Sequence, residues 1–298
     1  MKQPLIIGTR GSDLALWQAN HVQMLLKHIG VDSEIFIIKT KGDQIQHLSF
    51  DKIEGKGFFT KEIEESLLNK EVDIAVHSHK DLETEQPLGL TIAAVSDRAD
   101  PTDLLLVHPD AFDASEKFSL KKNAIVGTSS ARRKAQILGY REDVTIQDIR
   151  GNVPTRVQKL REKQFDAILL AKAGLDRLKL DLSGLHAITL DPEEFIPAPA
   201  QGVLAIQCRT EDQEVIDALG KLNNKKVQRL ISIERSVLNK LQGGCQLPLG
   251  VYATEYDGEF TVHVSFAQSW DSPNRLLTFI SDDDNALPDT IITELKKQ

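Results

Sequence analysis

The chain has 298 residues, 27% of them charged and 41% hydrophobic, the balance of a globular protein long enough for several cores. A formal net charge of −8 excludes a general nucleic-acid binder, and no stretch approaches the roughly 18–20 apolar residues that cross a membrane. The opening MKQPLIIGTRGS leads straight into a strand-like segment rather than a leader, so Cys208 and Cys245 are expected to be free thiols in the cytoplasm.

Pro4–Thr9 reads as a short apolar strand. Ser12 is placed to cap a helix over Asp13–Ile29, in which Leu14, Trp17, Val22, Leu25 and Leu26 fall near helical spacing and Gly30 closes the last turn. Glu34–Lys39 is a second strand, ending in Lys-Thr-Lys-Gly-Asp (39–43). Thr60 is placed to cap a helix over Lys61–Asn69, and Asp73–His77 and Leu90–Val95 are further strands, the first running into His-Ser-His-Lys-Asp (77–81). Asp100-Pro101 marks a break. A similar series follows: strand Ala124–Val126, Gly-Thr-Ser-Ser (127–130), a basic helix from Ala131-Arg132-Arg133, strand Val144–Ile149, Arg-Gly-Asn (150–152), helix Thr155–Lys163 and strand Asp166–Ala171.

The two series correspond. Gly8–Ser12 matches Gly127–Ser130 between strand and helix, Lys41-Gly42-Asp43 matches Arg150-Gly151-Asn152, and Val72–Ala75 matches Phe165–Ile168. Pro197 and Pro199 mark a second crossing, after which strand Val203–Gln207 returns to the first lobe; Cys208 ends it as a residue of no chemical consequence. Helices near Glu214–Leu222 and Val227–Leu241, a strand-rich Gly250–Ile280 with a turn at Asp257-Gly258, and a helix Leu287–Lys297 complete the chain. The reading is an α/β fold: two lobes facing each other across a cleft, with two crossings as a hinge, plus a small α+β C-terminal domain. The expected division is 1–97 with 198–218, then 98–197, then 219–298.

In open α/β sheets ligands bind beyond the carboxyl ends of the strands. Those ends carry Arg10, Ser12, Lys80, Asp81, Thr128, Ser129, Ser130, Arg132, Arg133, Arg150 and Arg156. Guanidiniums take carboxylates bidentately and helix N-termini add N–H donors, so the pattern points to a ligand bearing several carboxylates or phosphates. With neither a Walker A segment nor GxGxxG, a nucleotide has no support. Asp81 fits either a carboxylate that stabilises a developing cation or a helix cap or salt bridge. Cys245, between Gly243-Gly244 and Pro248, fits either a thiol forming one lasting covalent bond or a buried inert one. His77 and His79 are two apart with no third ligand in view, so no metal is expected. On residues alone, a non-catalytic two-lobed carboxylate-binding protein and an enzyme using Cys245 as a turnover nucleophile stay open.

Eight segments in order, GTRGSDLALWQA, KTKGD, GKGFFTKE, HSHKDL, GTSSARR, RGNVPTR, PAPAQG and LQGGCQLPLG, resemble the successive motifs of the porphobilinogen deaminase family and span about five sixths of the chain. The resemblance implies three domains, the first two like type II periplasmic-binding-protein lobes with mixed sheets. It implies a transferase that joins four porphobilinogen molecules into hydroxymethylbilane, releasing ammonia, on a dipyrromethane cofactor attached through a thioether to Cys245. Asp81 matches the catalytic carboxylate, placed to bind pyrrole N–H groups and stabilise positive charge. Cofactor-contacting positions match Lys56, Ser78, Lys80, Asp81, Thr128, Ser129, Ser130, Arg132, Arg133 and Gly151. Substrate-binding positions match Arg10, Ser12, Phe59, Arg150, Arg156, Arg177 and Gln201. A cytoplasmic protein with no nucleic-acid or membrane partner is expected from the charge and hydropathy, with a monomer as the default state. Two departures stand out: His79 where the family is usually apolar, and Pro154 within RGNVPTR.

Overall fold

The computed structural model describes residues 3–40, 60–242 and 247–297. Three sheets organise them. The first has the order β2-β1-β3-β10-β4, from β1 (Leu5–Thr9), β2 (Ser33–Ile37), β3 (Ile74–Ser78), β4 (Leu90–Val95) and β10 (Leu204–Arg209). The second has the order β7-β6-β8-β5-β9, from β5 (Asp103–Val107), β6 (Ile125–Gly127), β7 (Thr145–Gln147), β8 (Ala167–Ala171) and β9 (His186–Thr189). The orders are equivalent strand for strand. β1 pairs parallel with β2 and β3, as β6 does with β7 and β8; β10 runs antiparallel between β3 and β4, as β5 does between β8 and β9. Each sheet is mixed, so the two α/β lobes share one topology. The chain leaves the first sheet after β4 to supply β5 to the second, and leaves the second after β9 to supply β10 to the first.

The correspondence extends to side chains. Asp73 Oδ2 accepts from Ile6 N at 2.9 Å and Asp166 Oδ2 from Ile125 N at 2.8 Å, so each carboxylate pins the start of one parallel strand to the next. A Cβ on Gly8 would lie 3.0 Å from Val72 Cγ2, and one on Gly127 2.8 Å from Phe165 Cδ1; both strand ends pass against an apolar side chain that leaves room for hydrogen alone.

Central strands read as unbroken apolar runs because both faces are covered. Ile74, Ala75 and Val76 in β3 and Leu105, Leu106 and Val107 in β5 are all buried. α1 (Asp13–His28) lays Ala19, Val22 and Leu26 on the first sheet; burying each of the larger two contributes about 1.5–3 kcal/mol. Ser12 accepts from Ala15 N at 3.4 Å as its N-cap, with Asp13 in the first turn and Lys27 in the last complementing the helix dipole. α2 (Lys61–Leu68) starts at Thr60 without the side-chain cap expected there.

The third sheet, β11 (Leu249–Tyr256), β12 (Glu259–Phe266) and β13 (Arg275–Ser281), is an antiparallel meander. Its alternating buried residues pack with Ile233 and Val237 of a long helix, Lys225–Lys240, and with Ile291 and Leu295 of the last helix, Leu287–Leu295. The chain divides into two compact units: 3–40, 60–99 and 202–229 in one, and 100–201, 230–242 and 247–297 in the other. Among the described strands and α-helices, β5, β9 and the short helix Lys172–Leu178 have no counterpart in the sequence reading.

In chain order the helices after α2 are α3 (Ala131–Tyr140), α4 (Val153–Arg161), α5 (Lys172–Leu178), α6 (Gln213–Gly220), α7 (Lys225–Lys240) and α8 (Leu287–Leu295).

Candidate active site

In the first unit, Arg10 follows β1, Ser12 opens α1, and Ser78 ends β3. Gln18 Nε2 of α1 donates to Ser78 Oγ at 2.8 Å, so the helix face fixes the strand end. His79–Asp81 form a single 3-10 turn. His79 N donates to Val203 O at 2.9 Å, and Leu82 N to His79 O at 3.3 Å. The turn lifts Asp81 into solvent while His79 is buried and Lys80 is half-buried beside it. Behind it, His77 Nε2 lies 3.1 Å from Gln207 Oε1, and Gln207 Nε2 donates to Gln86 Oε1 at 2.9 Å and Glu64 Oε1 at 3.2 Å. Burial pulls the His77 imidazole down to about 4, against the smaller effect of its hydrogen bond, so it stands neutral.

In the second unit, β6 ends in Gly127, with Thr128 buried behind it. Ser129 Oγ donates to Ile149 O at 2.8 Å and accepts from Ile149 N at 3.1 Å, tying this turn to the one after β7. Ser130 is the N-cap of α3, accepting from Arg133 N at 3.5 Å. Asn152 caps α4 through Thr155 N at 3.0 Å, with Pro154 in the first turn where its missing N–H costs nothing. Gly151 has φ +111°, and a Cβ there would meet Thr155 Cγ2 at 2.7 Å; Arg156 Nε donates to its carbonyl at 2.8 Å. Lys159 Nζ donates to the Arg150 carbonyl at 3.0 Å. Arg177, on α5, is half-buried, and burial pulls its guanidinium down to about 10.

The densest chemistry lies beneath α3. Arg132 and Arg133 are buried, and both reach the fully buried Asp103 at the start of β5. Arg132 Nη1 donates to Asp103 Oδ2 at 2.6 Å and to Ile196 O at 2.8 Å. Arg133 donates to Asp103 Oδ1 from Nη2 at 2.8 Å and Nε at 3.2 Å, and to Leu169 O from Nη1 at 3.1 Å. Gln201 Nε2 joins the same Oδ1 at 3.0 Å and Pro101 O at 2.7 Å. Burial alone would raise the Asp103 carboxyl, but the two guanidiniums outweigh it and hold it well below the usual carboxylate range. Two cations against one anion leave one positive charge over, and Arg132 Nε is buried with no hydrogen-bond partner among the described residues.

The second crossing is fastened from the other side. Gln136 Nε2 donates to Ile196 O at 2.9 Å while its Oε1 accepts from Ile196 N at 2.6 Å. The buried Glu234 of α7 accepts from Ala200 N at 2.7 Å and from Ala253 N of β11 at 2.9 Å. Ala200 is held at φ +61°, a conformation that side chains larger than hydrogen seldom adopt.

Of the residues singled out in the sequence, Arg10, Ser12, Ser78, Lys80 and Asp81 gather at strand ends of the first unit. Thr128, Ser129, Ser130, Arg132, Arg133, Arg150, Gly151, Arg156, Arg177 and Gln201 belong to the second. Lys56, Phe59 and Cys245 lie outside the described residues. Asp103 and Gln18 were not singled out; the only signal for Asp103 was an acid heading the apolar run Leu104–Val107. Such loop ends, rich in hydroxyls, helix N-termini and guanidiniums, suit a ligand with several carboxylates.

Comparison with known proteins agrees with that chemistry. A family model described as "Porphobilinogen deaminase, dipyromethane cofactor binding domain" matches residues 5–217, and one described as "Porphobilinogen deaminase, C-terminal domain" matches residues 229–268. The chain is 48% identical over 250 residues to a protein of Brevibacillus brevis named porphobilinogen deaminase, covering 83% of this chain and 79% of that one. A protein of the same name from Sulfurimonas denitrificans is 46% identical over 259 residues, covering 85% of this chain and 80% of that one. Among the described residues no helix is long and apolar enough to cross a membrane.

Proposed function

Because the chain belongs to the porphobilinogen deaminase family, we propose that it joins four porphobilinogen molecules head to tail, releasing one ammonia for each, on a dipyrromethane held by Cys245, and that one water then cleaves the tetrapyrrole from the dipyrromethane as hydroxymethylbilane, leaving the dipyrromethane in place. The observation that carries the reading is the exposed carboxylate of Asp81, in the turn that follows β3, in a chain whose strand ends in each unit carry hydroxyls and guanidiniums suited to a ligand bearing many carboxylates. Each porphobilinogen brings an acetate and a propionate, which accounts for basic loops in a protein of net charge −8.

The residues present fit such a cofactor. Among the described residues, Arg132 and Arg133 carry one positive charge more than Asp103 balances, and the buried Arg132 Nε is a donor without an acceptor. Lys56, Ser78, Lys80, Thr128, Ser129, Ser130, Arg132, Arg133 and Gly151 would hold it. When bound, it supplies the pyrrole α-carbon from which the product is extended. Arg10, Ser12, Arg150, Arg156 and Arg177 take the substrate's carboxylates, with Phe59 against its rings and Gln201 as a polar neighbour. Asp81 accepts the incoming pyrrole N–H, stabilises the positive charge that develops as ammonia departs, and takes the proton lost from the α-carbon when the ring regains aromaticity. The domains are taken as 1–97 with 198–218, 98–197 and 219–298, in a monomeric cytoplasmic enzyme.

Intact-mass measurement tests the proposal. The purified protein is expected to carry the mass of two extra pyrrole units, lost in Cys245→Ser. An active protein at its bare sequence mass would refute it.

A further inference from the structure

Asp103 takes no place in the reaction just described, yet the candidate site of the second unit converges on it. One fully buried carboxylate accepts from Arg132, Arg133 and Gln201, three residues already assigned to cofactor or substrate. Its location follows from topology. β5 runs antiparallel to β8, with Asp103 paired to Ala171, so the first residue of β5 lies beside the last residue of its neighbour. The crossing from β4 therefore delivers an acid to the end of the sheet where the parallel strands present their turns.

The geometry is selective. Asp103 Oδ2 takes one nitrogen of Arg132, and Oδ1 takes Arg133 and Gln201. Backbone carbonyls of Ile196 and Leu169 take one further Nη1 contact from each arginine. This fixes both guanidinium planes, yet among the described residues it leaves the positive charge in excess and Arg132 Nε unpartnered. If the cluster served stability alone, a second buried carboxylate, or an apolar side chain in place of one arginine, would serve it better, since an imbalanced buried ionic group is costly.

We infer that Asp103 is a positioning residue, which orients Arg132, Arg133 and Gln201 in advance for the carboxylates of the cofactor. This rests on the reading above, in which Arg132 and Arg133 hold that cofactor. Asp103 itself touches no reacting atom. Its contribution is pre-organisation: guanidiniums already fixed lose little side-chain freedom when the ligand's carboxylates arrive.

The test is the fraction of folded monomer carrying two extra pyrrole units, read by intact mass after size exclusion, in Asp103→Asn, Asp103→Glu and Arg132→Gln. Asp103→Asn removes the charge at nearly constant shape. Asp103→Glu keeps the charge but moves it by one methylene, and carries the test if the asparagine variant does not fold. Loading is expected to fall about tenfold or more in Asp103→Asn, the size of losing hydrogen bonds to a charged group, and by less in Asp103→Glu. Adding Asp103→Asn to an Arg132→Gln/Arg133→Gln background is expected to lower loading by less than about twofold, because the positioned groups are already gone. Normal loading by the folded form of either Asp103 variant, together with loss in Arg132→Gln, overturns the positioning role and leaves the function standing. Normal loading in Arg132→Gln instead refutes the cofactor role of that arginine, and the inference with it.

Discussion

Glu234 offers a sharp test of how the second crossing is held. Its two carboxylate oxygens each accept one backbone N–H, from Ala200 at 2.7 Å and Ala253 at 2.9 Å, in a fully buried setting. Replacement by alanine leaves both donors without these acceptors. At about 1–3 kcal/mol for each buried unsatisfied group the loss is about 2–6 kcal/mol, against a typical total of about 5–15. Glu234→Gln is the more discriminating change, because its amide keeps one acceptor oxygen but turns an NH2 towards the other N–H. About half the alanine effect is expected. Ala200 should also lose its reason for standing at φ +61°, so amide exchange is expected to accelerate at Ala200 and Ala253 before it does in central strands such as β3. Urea unfolding with hydrogen exchange measures both. Variants within about 0.5 kcal/mol of the parent, with protection unchanged at those two amides, would refute the account.

Asp81→Asn is expected to retain the two extra pyrrole units and bind substrate while kcat falls by about 10²-fold or more, the scale of losing one transition-state charge contact; near-normal turnover would remove Asp81 from its role. His77 predicts a pH effect on stability. Burial lowers it from 6.5 to about 4, so on acidification the unfolded chain takes up this proton before the folded one does. The residue's contribution is complete above pH 6.5 and is lost as pH falls through the window to about 4, by about 3 kcal/mol at most. Urea midpoints across that range should decline less steeply in His77→Gln, and parallel curves would contradict the assignment.

Much of the site's scaffold was legible because turns have strong local chemistry. Gly-Thr-Arg-Gly-Ser and Gly-Thr-Ser-Ser announce a strand that stops and a helix that starts, and Ser12 and Ser130 are N-caps in the structure. The internal repeat was legible for the same reason, and the matched Asp73 and Asp166 now show what one part of it does. β5 escaped because a strand covered on both faces has no alternation to read, and Leu104–Val107 follows an Asp-Pro break that suggests a loop. Asp103 escaped with it. Glu234 was illegible for another reason: its partners are backbone amides distant in sequence, and an acid in the helix of Lys225–Lys240 looks like any solvated one. Gln18, likewise, has a polar identity that suggests solvent, and only tertiary contact turns it towards Ser78.

The antiparallel course of β5 makes the connector ahead of it a ruler. Side chains alternate along the strand, with Asp103 on the face of Leu105 and Val107, and Leu104 and Leu106 on the opposite one, which belongs to a different core. Deleting a single amino acid between Ala99 and Asp103, with the strand re-seated by one step, would swing the acid through the sheet and bring Leu104 beneath the two arginines. Tolerance to length change, usual in connections between lobes, is thus forfeited here, and the spacing of this short link is set by electrostatics as much as by reach.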